Sequence, residues 1–226
     1  MNIISSMATR QVLTDLLALY EATSGQRMVL EAVGGVDAAK RVRAGEAVDA
    51  VVLAANVIDE LAREGHLVAG SRADLVRSGV AIAVRTGAPR PAIASEDDVK
   101  RAVLGARSLS CSTGPSGLHL AKLFDRWGVA EQIKGRIVQA PPGVPVGSLV
   151  AKGEIELGFQ QLSELMHFSG IDVLGPLPDA IQIVTTFSAG LSATSAQGDA
   201  VRRLINFLVS PAAEAAKRHH GMEPAA

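Results

Sequence analysis

The chain's densest cluster of anion-ready groups is Ser112-Thr113-Gly114-Pro115-Ser116-Gly117, which follows a short apolar run and precedes a helical one. Glycines let backbone amides converge, hydroxyls add donors, and a helix N-terminus favours negative charge. Ser112, Thr113, Gly114 and Ser116 are therefore predicted to hold a small anion, against the simpler reading of a loop with a Ser cap. No Lys follows the glycines, so nucleoside triphosphates are not implied. Three weaker junctions accompany this one. Ser5 and Ser6 place hydroxyls at the opening of a helix, where they either contact a ligand or cap the helix. Asn56, after Ala54-Ala55, offers an amide, with capping the better reading. Arg77, next to Ser78, can clamp a planar carboxylate bidentately, and otherwise is a solvated charge at a strand end. Gln160 and Gln161 close an apolar run and can donate to a ligand, although amides at strand ends are commonly just exposed.

A group to move protons is harder to find. Of five histidines, His119 is the best placed, one turn beyond the hydroxyl-rich segment, while His66, His167, His219 and His220 fall at helix ends. Glu154 and Glu156 read as surface groups, and Glu164 as an acid in a first helical turn, where the helix dipole favours it. No nucleophile elbow, histidine pair at metal spacing or dinucleotide fingerprint occurs. No metal or cofactor is expected. The one cysteine, Cys111, reads as a small side chain buried at a strand end.

Composition narrows the classes further. With 226 residues, 48% hydrophobic and 20% charged, the chain is globular and long enough for one large domain or two small lobes. Aromatics at 3% leave the apolar mass to Ala, Val, Leu and Ile, which suits buried parallel strands under Ala-rich helices. A net charge of -1 without basic runs argues against nucleic acid as a partner. No apolar stretch reaches the roughly 18 residues of a membrane span, so no membrane insertion is expected. The first residues lack a basic segment and apolar core, which predicts a cytoplasmic protein, or a periplasmic one whose export signal has been removed.

Short apolar runs alternate with helical periodicity, the pattern of βα units and a mainly parallel sheet. Strands are predicted at 3–4 (an edge), 28–31, 49–54, 79–85, 108–111, 135–139, 155–160 and 172–174. Helices are predicted at 9–23, 36–44, 57–64, 118–127, 148–151, 162–168, 199–209 and 212–219. Ser95-Glu96-Asp97-Asp98 predicts a capping box opening a further helix through Leu104. Residues 181–193 form one long apolar run. Pro-rich breaks near residues 83 and 182 bracket an inserted block, giving lobe I as 1–82 plus 184–226 and lobe II as 83–183, joined by two crossing strands as a hinge. In open α/β sheets ligands lie beyond the carboxyl ends of strands, so the expectation is a cleft between lobes closing on a small anionic ligand.

Ile3-Ile4-Ser5-Ser6, Val48-Asp49-Ala50-Val51-Val52, the Ser112 to Gly117 segment, Gly153-Glu154-Ile155-Glu156-Leu157-Gly158 and Phe207-Leu208-Val209-Ser210-Pro211-Ala212-Ala213 together resemble the molybdate-binding-protein family of extracellular solute-binding proteins over essentially the whole chain. That resemblance implies a type II periplasmic-binding-protein fold, an oxyanion held by hydroxyls and amides, and an ABC transporter permease as a partner. It adds Val146, in the proline-rich stretch 141–147, to the ligand contacts, beside Ser5 or Ser6 and Asn56. Gln160-Gln161 stands where molybdate binders commonly have Tyr. This departure is similar to a side branch that includes aconitate isomerase, which implies a tricarboxylate ligand and a double-bond shift by proton transfer.

Overall fold

The computed structural model describes residues 1–112, 114–141 and 143–225. The chain divides into two compact units: Met1–Ser78 with Thr185–Ala226, and Gly79–Val184. In chain order the elements are β1 (Asn2–Ser6), α1 (Arg10–Ser24), β2 (Val29–Val33), α2 (Gly35–Arg43), β3 (Ala50–Ala54), α3 (Ala55–Arg63) and β4 (Ala73–Arg85). They continue with α4 (Glu96–Gly105), β5 (Leu109–Cys111), α5 (Pro115–Arg126), α6 (Ala130–Ile133), α7 (Val146–Lys152), β6 (Leu157–Gln161), α8 (Leu162–Leu165) and β7 (Ile171–Pro176). Last come β8 (Val184–Leu191), α9 (Gly198–Leu208), α10 (Glu214–His219) and β9 (Glu223–Pro224).

In the first unit β1 pairs in parallel with both β2 and β3, β3 pairs antiparallel with β8, and β9 pairs with β4. Successive strand residues point to opposite faces, and the sequence fills both. Ile3, Ala50 and Val52 pack under α1 and α9, while Ile4, Val51 and Leu53 pack under α2 and α3. On α9 the buried Val201, Leu204, Ile205 and Leu208 repeat at helical spacing. The predicted edge at Ile3 and Ile4 is corrected: β1 is flanked on both sides, as its nearly complete burial requires.

In the second unit β4 pairs antiparallel with β6 and β7, and β5 pairs in parallel with β6. One sheet face carries Val80, Ile82, Leu109, Leu157 and Phe159 under α4 and α5. The other face is lined by small residues. Ala81 and Ala83 meet Leu165 of α8, and a Cβ on Gly158 would come within 2.6 Å of Val150 and 2.9 Å of Val146. Those small side chains let α7 and α8 lie close on the sheet. At α4 the predicted capping box is present, with Ser95 accepting from the Asp98 amide and Asp98 from the Ser95 amide. Ser95→Ala is expected to lower stability by about 1 kcal/mol, read as a small drop in the urea midpoint.

Three further expectations are corrected. Residues 135–139 do not form a strand: a 3-10 turn occupies Lys134–Arg136, and only Ile137 bridges Leu109. The Arg136 guanidinium there donates to the carbonyls of Leu104 and Ala106, tying the segment to the end of α4. β4 starts at Ala73 rather than at residue 79; its first half escapes the apolar pattern because Asp74 and Arg77 interrupt it. α5 begins at Pro115, so Ser116 and Gly117 belong to a helical turn instead of a loop; Pro at the first helical position explains the early start. Among the described residues no helix is long and apolar enough to cross a membrane.

Candidate functional site

Each unit has a polar strand edge. In the first, β1 and β3 run parallel and end together at Ser5-Ser6 and Ala54-Ala55-Asn56. Ser5 is fully buried at 0% exposure, its hydroxyl donating to the Ser6 carbonyl at 3.3 Å. Ser6 accepts from the Ala8 amide at 3.3 Å and caps a 3-10 turn at Met7–Thr9. Asn56 is exposed in the first turn of α3, with Ala54 at the cap position, so the capping role expected of it is not taken. Arg77 lies inside β4, exposed, and its Nη2 donates to the Pro224 carbonyl at 3.4 Å. Ser78 beside it is buried.

The second unit gathers more of the expected residues. β5 and β6 are parallel neighbours, with Cys111 opposite Phe159, so Ser112 follows β5 one strand spacing, about 4.8 Å, from Gln160. The Ser112 and Ser116 hydroxyls are 2.9 Å apart, Gly114 caps α5, and Thr113 lies outside the described residues. Gly117 packs directly on this turn: a Cβ there would fall 1.7 Å from the Ser112 carbonyl oxygen. Val146 opens α7 and is buried.

Gln160 and Gln161 are not exposed strand ends; both are about 4% exposed, because β6 is flanked by β4 and β5. The Gln160 Oε1 accepts from the Gly147 amide at 3.2 Å, which ties β6 to the first turn of α7. Its Nε2 is then free to donate, and the side chain hydrogen-bonds the carboxyl group of Glu164. Glu164 is half-buried in α8, and burial pushes its carboxyl group up from the ordinary 4.5 to about 7, with the Gln160 bond pulling the other way. Sequence reasoning missed this group. A single acid in a first helical turn looks like a helix-dipole partner, and nothing local shows that α7 and Gln160 will enclose it. Also on this face, the Ser110 hydroxyl is buried without a hydrogen-bond partner among the described residues.

His119 is exposed and faces a separate cavity of about 440 Å³ with Lys122, Arg126 and the 180–184 segment. No hydroxyl or carboxylate lines that cavity, so its chemistry is that of a basic surface hollow. The Cys111 thiol is raised by burial, in keeping with a packing role. Among the described residues no group of three His, Cys, Asp or Glu side chains can hold a metal ion.

The profile of the bacterial extracellular solute-binding proteins matches residues 1–223. The chain is 34% identical to an aconitate isomerase of a Pseudomonas species, over 99% of this chain and 87% of that protein. The structure of the periplasmic molybdate-binding protein of Azotobacter vinelandii superposes with a TM-score of 0.82 at 18% identity, covering 98% of each chain. The sulfate-binding protein SubI of Mycobacterium tuberculosis gives 0.80 at 15% identity, over 99% of this chain and 86% of that one. The fold is that of the type II periplasmic binding proteins.

Proposed function

We propose, for a chain that belongs to the bacterial extracellular solute-binding protein family, that it binds a small unsaturated polycarboxylate and shifts its double bond, as an isomerase acting on an aconitate-like tricarboxylic acid. The carrying observation is the strand edge of the second unit. Uncharged polar groups gather there: the Ser112 and Ser116 hydroxyl pair, and the Gln160 amide beside the first turn of α7. Neutral donors suit the enolate-like charge that grows on a carboxylate when a neighbouring carbon loses a proton, since they stabilise it without fixing a counter-ion. The 34% identity to an aconitate isomerase over nearly the whole chain supports the same substrate class.

A second reading is a non-catalytic binder of an oxyanion such as molybdate that delivers its ligand to an ABC transporter permease from the periplasm. It is favoured by the same neutrality of the donors, because an oxyanion held by hydroxyls and amides needs no full charge.

Thermal melting separates the two. A ligand at 100 times its Kd stabilises by about 2.7 kcal/mol, so cis-aconitate, trans-aconitate or citrate is expected to raise the Tm, with molybdate, tungstate and sulfate inert. A rise with molybdate alone sinks the carboxylate reading. On the first reading, ultraviolet or NMR monitoring shows cis-aconitate becoming trans-aconitate, and Ser112→Ala combined with Thr113→Ala slows that conversion about tenfold or more.

A further inference from the structure

The reading above needs a group that removes a proton from carbon and returns it. We infer that Glu164 carries that proton and that Gln160 is its positioning residue; the inference rests on the isomerase reading.

Three observations converge on it. First, Glu164 follows directly on the carboxyl end of β6, the strand whose parallel neighbour delivers Ser112 to the same edge. The carboxyl group and the hydroxyl pair therefore border one end of one sheet within a single compact unit. Second, Gln160 is buried between two partners, accepting from the Gly147 amide at 3.2 Å and bonding Glu164 with its remaining group. A side-chain amide held at both ends fixes the direction of the carboxyl group it donates to, as a general base requires. Third, four other acids of this unit are committed elsewhere. Glu96 takes the indole of Trp127 and Arg126, Asp98 caps α4, Glu156 accepts from the Arg107 amide, and Asp172 accepts from Thr86. Glu164 pairs with no Lys or Arg among the described residues.

The step balances without a co-reactant. The Glu164 carboxylate takes a proton from the methylene carbon next to one substrate carboxylate, and the C–H electron pair joins the adjacent double bond as an allylic anion. The charge spreads into the flanking carboxylates, where Ser112 and Ser116 can donate. The Glu164 carboxyl group then returns the proton to the other terminal carbon, so the double bond moves by one position. The conformation about the former single bond when the proton leaves sets whether the new double bond is cis or trans.

The surroundings of Glu164 make its ionisation the one that governs the acid side of the rate. β6 presents the Gln160 amide, α7 its Gly147 amide, and β4 only Ala81 and Ala83 around the neighbouring Leu165; the titratable His167 on the following turn is exposed. A carboxyl group near 7 in such a setting is matched to proton transfer at neutral pH.

The test is turnover of cis-aconitate in heavy water, read as trans-aconitate formed and deuterium entering the substrate, on wild type, Glu164→Gln, Glu164→Asp and Gln160→Leu. Expected for Glu164→Gln is a loss of about 100-fold or more in kcat, with a cooperative melt retained and trans-aconitate still raising the Tm. Glu164→Asp keeps part of the activity. Gln160→Leu, which removes the bond that holds the carboxyl group down, moves the acid limb of the rate profile to higher pH. If wild type isomerises and Glu164→Gln keeps more than a tenth of its kcat, the assignment is wrong while the isomerase reading stands. If wild type neither isomerises cis-aconitate nor exchanges its methylene protons, the isomerase reading falls and the assignment with it.

Discussion

Replacing Gly117 by Ala collapses the Ser112–Ser116 turn of the second unit and lowers stability by about 3 kcal/mol, at the upper end of what overpacking costs. An added Cβ would stand 1.7 Å from the Ser112 carbonyl oxygen and 2.9 Å from its carbon. Both are backbone atoms, so no side-chain rotation relieves the contact. Either the first turn of α5 unwinds or the Ser112 backbone moves, and each breaks the 2.9 Å approach of the Ser112 and Ser116 hydroxyls. The expected result in urea unfolding is a lower midpoint together with loss of the ligand-induced rise in Tm. The control is Gly135→Ala, a position where a Cβ meets nothing and where both properties are expected to stay. A Gly117→Ala protein that melts like wild type and still responds to ligand contradicts the packing described here.

Replacing Glu164 by Gln makes the protein more stable above neutral pH, by up to about 3 kcal/mol for a displacement from 4.5 to about 7. The folded protein holds the Glu164 proton more tightly than the unfolded chain does. Between roughly those two pH values the native state therefore binds more protons, and stability falls as pH rises. Below 4.5 both states are protonated and nothing is lost; above about 7 the loss is complete and constant. Gln is close in shape, stays neutral, and can still accept from Gln160, so it removes the slope. Guanidinium unfolding at pH 4, 6 and 8 checks this: the stability of the variant minus that of wild type should grow across the series. A difference that is flat with pH shows that Glu164 ionises as an ordinary exposed carboxylate. This measurement needs no ligand and is independent of any catalytic reading.

Much of the fold is legible because local signals and tertiary context agree. The capping box at Ser95 involves only neighbours in sequence, and the structure forms it as read. α9 and β3 show their periodicities because the burial of their apolar residues is set by one dominant face, or by both. Where charges sit on a strand that is only partly covered, as at Asp74 and Arg77 in β4, alternation disappears and the strand reads as a loop. The Ile137 and Val138 run is apolar, but Arg136 anchors the segment to the end of α4, and apolarity alone cannot report that.

The candidate site divides along the same line. Sequence by itself determined the run of hydroxyls and glycines from Ser112 to Gly117 and the family to which the chain is similar, since each depends on residue type and short spacing. Only the tertiary structure decided that Arg77 reaches the Pro224 carbonyl, that Gln160 and Gln161 are buried, and that Gln160 joins the α7 amide to Glu164. The physical reason is desolvation. Whether an acid stays an ordinary carboxylate or titrates near neutrality depends on what other parts of the chain lay over it, and for Glu164 those include α7 and Gln160 of β6, packed close by Ala and Gly positions too small to announce themselves.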